Sequence, residues 1–368
     1  MNACTRCLLP EGTLNVKLDE DNLCNYCTYF DAHEMTHPER TDRSSLLRKK
    51  LQAYSGKYDH DVLIGLSGGK DSTYVAYRLV KDYDVRVRAI TYDNGFLTDH
   101  ARENIDRIVK KLGLDHFYHT PDWDVHSILY RAAFEKLGDP CVACGFAGYF
   151  LSIKLCFDLK IPFFVHGRSP YQMYRNYREG SGDVFITMNQ ANLALNSFKD
   201  VAKLYREVYT HVLQSIDLLV DDPEKRRSIQ EEFFVHPDRL DEEFAPEFVG
   251  FFLFEPYRED EMRSVLEKEQ IGKPQKTHSD CAVHETADYL FREIHGISLE
   301  TAEVAAMLRF GAISEEAAAG ILSDRNTDEA GFQISNRLFC ERLRLSQSEF
   351  EDHVDLLKQN EISKFGSH

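Results

Sequence analysis

The stretch that most constrains this chain is Asp61-Val-Leu-Ile-Gly-Leu-Ser-Gly-Gly-Lys-Asp-Ser72. Val62 to Leu66 form an apolar run of buried-strand length, and Ser-Gly-Gly breaks it. From Ser72 the pattern turns helical, with Tyr74, Val75, Tyr77, Leu79 and Val80 supplying an apolar side. Strand, glycine turn and helix start are the ingredients of an anion site. Gly68 and Gly69 admit a close backbone approach, and the free N–H groups of a first helical turn point at negative oxygen. Lys70 adds a mobile positive charge, Asp71 is placed to hold a magnesium ion, and the Ser67 and Ser72 hydroxyls can donate hydrogen bonds. A bare Gly-Gly would read as an ordinary strand-to-helix turn, whereas the full Ser-Gly-Gly-Lys-Asp-Ser favours phosphate. The loop is shorter than G-x-x-x-x-G-K-[ST], and an Asp follows its Lys, so it is not that motif.

A βα alternation follows. Val85 to Tyr92 alternates and then turns apolar, and Asp93-Asn-Gly95 ends it with a turn. Residues 99–112 carry Ile105, Ile108, Val109 and Leu112 at helical spacing, with Gly113 as a stop. Phe117 to His119 reads as a strand, 125–137 and 145–159 as helices, and Ile161 to Val165 as a strand ending in His166-Gly167-Arg168. Such alternation predicts an α/β fold with a parallel sheet covered on both faces. Ligands of these sheets lie beyond the strand C-termini. That rule collects Ser67–Ser72, Tyr92–Gly95, the loop before Cys141 and Gly167–Ser169 on one rim, with Tyr92 or Asp93 toward an adenosine end.

Six of the nine cysteines form three C-x-x-C pairs. Cys4/Cys7 and Cys24/Cys27, sixteen residues apart, match a structural zinc site in which each knuckle offers two sulfurs to one ion. Disulfides or idle thiols are the plainer alternatives. The third pair, Cys141/Cys144, precedes a helix on the same rim as the glycine loop. It joins Cys281, the one other cysteine in a polar, loop-like context, because Cys156 and Cys340 sit among apolar helix residues. Three thiolates can hold three irons of a [4Fe–4S] cluster and leave the fourth iron open to a ligand such as hydrosulfide. Persulfide chemistry at Cys141 and Cys144, or two buried small residues, are the alternatives.

At 368 residues the chain is long enough for two or three domains. No apolar run approaches membrane-spanning length, and Met1-Asn-Ala-Cys is not a secretory signal, so a cytoplasmic protein without a membrane role is expected. A net charge of −17 weighs against backbone-driven nucleic-acid binding, which needs a basic face. Residues 33–57 read as a charged connector whose basic residues lie on a solvated face. Tyr171 to Arg178 is a dense Arg/Tyr segment near the rim, suited to an anionic or sugar-bearing substrate or to solvent. Residues 186–236 read as helical, 221–243 as an exposed charged connection, 248–254 as a strand, and everything from Glu285 as helices for packing or homodimerisation. Ser346 and Glu349 form a capping box.

The Ser67–Ser72 loop resembles the PP-loop of the ATP pyrophosphatases. The resemblance implies their sheet, of the adenine nucleotide alpha hydrolase type, and cleavage of ATP between its α and β phosphates, with a substrate oxygen adenylated and AMP then displaced. Two branches are similar. Cys4, Cys7, Cys24 and Cys27, the loop, and Phe134 to Pro140 resemble N-acetyl sugar amidotransferases, which use ammonia from a separate glutaminase; this likeness extends loosely to Gly167. Cys141, Cys144 and Cys281 match in order and approximate spacing the iron–sulfur tRNA thiolases. Two departures stand out. Cys281 lies far downstream, so residues 170–250 must fold away as an insertion, and Gly167 is followed by Arg-Ser-Pro where those thiolases carry acidic residues. The resulting expectation has ATP with magnesium, zinc and a [4Fe–4S] cluster as cofactors. Lys70, Asp71, Cys141, Cys144 and Cys281 carry the chemistry, and Ser67 to Ser72, Tyr92, Asp93, Gly167 and Arg168 the nucleotide. The acceptor is a small molecule, not tRNA, and a sulfur donor or a glutaminase partner supplies the nucleophile. A non-catalytic nucleotide sensor is the third reading. The expected layout is a zinc knuckle at 1–32, a linker and helix at 33–60, the ATP domain at 61–282 with its insertion at 170–250, and a helical domain at 283–368.

Overall fold

The computed structural model describes residues 2–32, 42–175, 184–240, 243–271, 280–323 and 329–359. Its centre is a five-stranded parallel sheet in the order β3-β2-β1-β4-β5. The strands are β1 (Val62–Gly65), β2 (Val87–Tyr92), β3 (Asp115–His119), β4 (Phe163–His166) and β5 (Glu247–Gly250). Val62 pairs with Val87 on one side and with Phe163 on the other. Alternate residues enter opposite cores. Leu63, Ile90, Phe164 and Phe248 face one layer, and Val62, Ile64, Ala89, Val165 and Val249 face the other. This double burial is why the inner strands read as continuous apolar runs.

The strand order reverses between β1 and β4, so a crevice opens beyond their C-termini. Helix α1 (Asn25–Ala32) closes the cysteine knuckle, and α2 (Ser44–Tyr54) packs under the sheet. Lys50 of α2 is buried and pairs with Glu247 of β5 at 2.7 Å, which corrects the expectation of a wholly solvated connector. The remainder of that connector, 33–41, lies outside the described residues. Helices α3 (Lys70–Lys81) and α4 (Asp99–Leu112) follow β1 and β2; Thr98 caps α4 at its start and Gly113 ends it in the left-handed conformation.

Helices α5 (Trp123–Leu137) and α6 (Pro140–Leu159) pack against each other on the other face. α6 starts earlier than the sequence suggested. Asp139 accepts from the Cys141 N–H and Pro140 occupies the first turn, so Cys141 and Cys144 ride on the helix and do not precede it. Its 20 residues are also long and apolar enough to cross a membrane, contrary to the first expectation, but just over half of that window is buried against the protein's own core. A central helix covered by α5, α10 and the sheet needs apolar residues nearly all round.

After β4 come α7 (Pro170–Tyr174), α8 (Val184–Ala191), α9 (Phe198–Leu219) and α10 (Pro223–Phe233). The charged 221–243 stretch is not simply an exposed connection. Ile229, Phe233, Phe234 and Val235 are buried, and α10 packs on α5 and α6. The 248–254 run is strand only to Gly250 and then a single 3₁₀ turn, Phe251–Leu253. Helix α11 (Glu259–Lys268) returns to pack on α3. From His284 onward the described elements are all helices: α12 (His284–His295), α13 (Leu299–Arg309), α14 (Glu315–Ser323), α15 (Glu329–Leu343) and α16 (Gln347–Gln359). The Ser346/Glu349 box forms at the start of α16, each side chain bonding the other's backbone N–H. Cys156 and Cys340 lie in the core.

Candidate functional site

A cleft of about 670 Å³ lies beyond the C-termini of β1 and β4. Its floor is the loop Ser67–Ser72. Gly68 takes φ +82°, where a side chain would be strained, and a Cβ there would stand 2.7 Å from the Ala101 carbonyl oxygen. Gly69 is the N-cap of α3 and supplies no side chain to satisfy the first-turn N–H groups. Gly167, at the end of β4, comes so close to the loop that a Cβ would meet the Asp71 carbonyl at 3.1 Å. The Ser67 and Ser72 hydroxyls lie 3.2 Å apart and brace the turn.

Lys70 Nζ donates to both Asp71 carboxylate oxygens at 3.1 Å and to the Tyr257 hydroxyl at 3.0 Å. The Tyr257 hydroxyl in turn donates to Asp71 Oδ1 at 3.1 Å. Burial pushes the Asp71 carboxyl up, while Lys70 and Tyr257 pull it back. Tyr257 was not singled out from the sequence. The rule that drew the other rim segments together applies to it as well, because it lies just past the C-terminal end of β5.

The other wall carries the thiols. Cys141 is exposed, and Cys144 and Cys281 are half-buried; all three line the same cleft as the loop. Cys281 is held by an antiparallel bridge. Ala282 N–H donates to the Phe96 carbonyl at 2.8 Å, and Thr98 N–H to the Asp280 carbonyl at 3.2 Å. Asn94, taken from the sequence only as part of a turn, donates from Nδ2 to Cys144 Sγ at 3.3 Å. Burial pushes the Cys281 thiol up to about 12 and raises Cys144 despite Asn94. Among the described residues, Cys141, Cys144 and Cys281 do not form a single-ion site. A [4Fe–4S] cluster would take each thiolate on a different iron and so does not require the three sulfurs to converge on one point. Residues 277–279, just before this segment, lie outside the described residues.

The remaining candidates divide. Tyr92 lines the cleft and hydrogen-bonds His126 Nε2 at 2.7 Å. Asp93 does not line it; its carboxylate pairs with Arg102 at 2.6 Å and accepts from the Gly95 N–H, so it closes a turn. Arg168 lines the cleft, and its N–H donates to His166 Nδ1 at 3.3 Å. His166 is buried against Asn189, and burial lowers it to about 3, which keeps it neutral. Of the Arg/Tyr segment, Gln172 faces the cleft, whereas Arg175 pairs with Glu303 at 3.0 Å. Residues 176–178 lie outside the described residues.

The N-terminal cysteines form a different kind of site. Cys4, Cys7, Cys24 and Cys27 are all buried, and their sulfurs lie within 4.8 Å of one another. Cys4 and Cys27 sulfurs are 3.8 Å apart and those of Cys7 and Cys24 3.5 Å. Four sulfurs around one ion at about 2.3 Å have tetrahedral edges of about 3.8 Å, so the donor set fits one zinc-sized ion. The buried Arg309 of α13 brings its guanidinium to 3.9 Å from Cys7 Sγ.

No family model matches the chain. Over 58 residues it is 38% identical to the glutamine-hydrolyzing GMP synthase of Pyrobaculum aerophilum, a match spanning 16% of the chain and only 12% of that relative's length. Among solved structures it is similar to the U34-tRNA thiolase NcsA from Methanococcus maripaludis with its [4Fe–4S] cluster. That similarity has 14% identity, covers 89% of this chain and 90% of the other, and gives a TM-score of 0.33. It is also similar to NMN synthetase from Francisella tularensis at 12% identity, over 69% of this chain and 93% of the other, with a TM-score of 0.27. Scores of this size leave the functional argument with the residues themselves.

Proposed function

We propose that this chain is an ATP-dependent adenylating transferase that replaces a carbonyl or amide oxygen of a small molecule with sulfur. The observation that carries the reading is a single cleft lined on one side by the glycine loop with Lys70 and Asp71, and on the other by Cys141, Cys144 and Cys281. The loop's uncapped N–H groups and Lys70 take the polyphosphate, and Asp71 would hold a magnesium ion that offsets its charge. The substrate oxygen attacks the α-phosphorus, the α–β bond breaks, and pyrophosphate leaves. A sulfur nucleophile then adds to the activated carbon and AMP departs with the oxygen, a sequence with no net oxidation or reduction. Cys141, Cys144 and Cys281 would hold a [4Fe–4S] cluster, which would supply a binding place for the sulfur. The N-terminal sulfurs would hold a structural zinc, because a closed four-sulfur set leaves no position for substrate. The chain's −17 charge supports a small acceptor in place of tRNA, and a cytoplasmic setting keeps nine thiols reduced.

Anaerobic purification tests the sulfur half. Iron, sulfide and a broad visible absorption band should be present and should vanish in Cys141→Ala. A colourless, iron-free protein sinks the cluster and moves the nucleophile to ammonia from a glutaminase partner, as in the amidotransferases that the N-terminal knuckle resembles. The adenylation half predicts AMP and pyrophosphate from ATP with an acceptor, abolished in Lys70→Ala. Nucleotide binding without turnover, indifferent to that substitution, would make the protein a sensor.

A further inference from the structure

The cleft's third side is α11, which no sequence motif marks. It packs on α3 and presents Arg263, Leu266 and Glu267 to the cleft. Glu259, in its first turn, stands between two cations. Its Oε1 accepts from Arg263 Nε at 2.9 Å and Nη2 at 2.6 Å, and its Oε2 lies 3.7 Å from Lys70 Nζ. All three side chains reach water, with Lys70 23%, Glu259 37% and Arg263 42% exposed. One carboxylate therefore occupies the cationic side of the phosphate floor in a place from which a stronger anion can remove it.

Charge balance gives this a direction. Lys70 and Arg263 are matched one for one by Asp71 and Glu259 before any ligand arrives. A magnesium-bound polyphosphate needs Asp71 for the metal and at least two cations for the oxygens. Lys70 is one of them. Arg263, on α11 and one carboxylate away from Lys70, is a further cation lining the cleft in addition to Arg168, and its planar fork, now spent on Glu259, suits two phosphate oxygens. Tyr257, hydrogen-bonded to both Lys70 and Asp71, can keep Asp71 in place as Lys70 turns away.

We propose that Arg263 is the second phosphate-binding cation of this site, and that Glu259 is a built-in competitor holding Arg263 and Lys70 until ATP or pyrophosphate displaces it. The proposal rests on the nucleotide reading above and assigns to α11 the recognition of the β and γ phosphates. It makes two substitutions in one ion pair act in opposite directions. A merely structural pair would push both the same way.

The test is calorimetric titration of the full chain with magnesium and ATP, pyrophosphate or AMP. Arg263→Ala should weaken ATP and pyrophosphate about tenfold, and Glu259→Gln should tighten both about threefold, with AMP changed little by either. Arg263→Lys, which keeps the charge and loses the fork, should fall between wild type and Arg263→Ala. The proposal is overturned if both substitutions weaken ATP alike. It is also overturned if Arg263→Ala binds ATP like wild type while Lys70→Ala loses it, and that result leaves the nucleotide reading standing. Failure of the wild-type chain to bind either ATP or pyrophosphate removes that reading and this one together.

Discussion

The two cysteine sites use the same short motif for opposite ends. At the N-terminus, two C-x-x-C knuckles turn all four sulfurs inward, bury them, and seal them under Ala287, Phe291 and Leu308 of the C-terminal helices. In the cleft, one C-x-x-C rides the first turn of α6 with Cys141 exposed, and its third member comes from a distant β-bridge. The knuckle gathers its ligands from one short stretch and adds nothing to the cleft. The cleft set draws on two elements 137 positions apart, Cys144 and Cys281, and faces the phosphate loop. Spacing alone does not separate a scaffold from a reactive centre. Closure and neighbours do.

This contrast can be broken in order of expected effect. Cys24→Ala should release the metal proposed for the N-terminal knuckle and cost several kcal/mol, read as a large fall in melting temperature, whereas Cys144→Ala should leave melting nearly unchanged and remove the proposed turnover. Equal effects on melting would erase the distinction. Arg309→Met removes a buried cation beside the four sulfurs and should destabilise the metal-loaded protein by about 3 kcal/mol in urea titrations, without changing ATP affinity. Acid should act through the cleft side, where burial holds His126 and His166 at about 3, below the ordinary 6.5. A depressed histidine contributes stability above pH 6.5 and loses it as pH falls toward the folded value, by about 1 kcal/mol for each group between pH 6.5 and 5.5 and by about 1.4 kcal/mol per unit below that. Urea midpoints at pH 6.5 and 5.5 measure this, and His126→Gln should recover about half of that cleft-side loss. Smallest, Tyr257→Phe keeps the ring but removes the hydroxyl between Lys70 and Asp71, and should lower turnover about tenfold with melting unchanged.

Much of the frame was legible because periodicity and turn chemistry agree locally. β1, the glycine turn and α3 lie where Val62–Leu66 and Ser67–Ser72 put them, and Gly113 ends α4 as a left-handed stop. The four-sulfur knuckle could be read because its ligands are close in sequence. What stayed hidden depends on long-range pairing. Lys50 looks like any surface lysine until Glu247 meets it beneath the sheet. Ile229 and Phe233 are two apolar residues in a charged run, and only the packing of α10 on α5 and α6 shows them to be core. Tyr257, Glu259 and Arg263 carry no spacing signature, and they become neighbours of Lys70 only because β5 returns the chain to the sheet beside β4. Asn94 was readable as a turn residue, but its approach to Cys144 needed α6 to begin five residues earlier than its apolar pattern suggests.

The knuckle's partner surface sets a timetable for the nascent chain. Arg6 donates to the Arg309 carbonyl at 2.9 Å, and the apolar cover of the four sulfurs comes from residues 287–318. The cysteines leave the ribosome almost three hundred residues before that cover exists, an interval of about 15 to 60 s at ordinary elongation rates. During that time the thiols have only contacts within the N-terminal segment, such as Cys4 N–H on the Leu9 carbonyl at 3.0 Å and the packing of Leu9, Leu14 and Tyr26, to hold them together. Metal captured early would protect them from oxidation and mispairing, and would present a finished surface on which α12 and α13 could settle once they emerge.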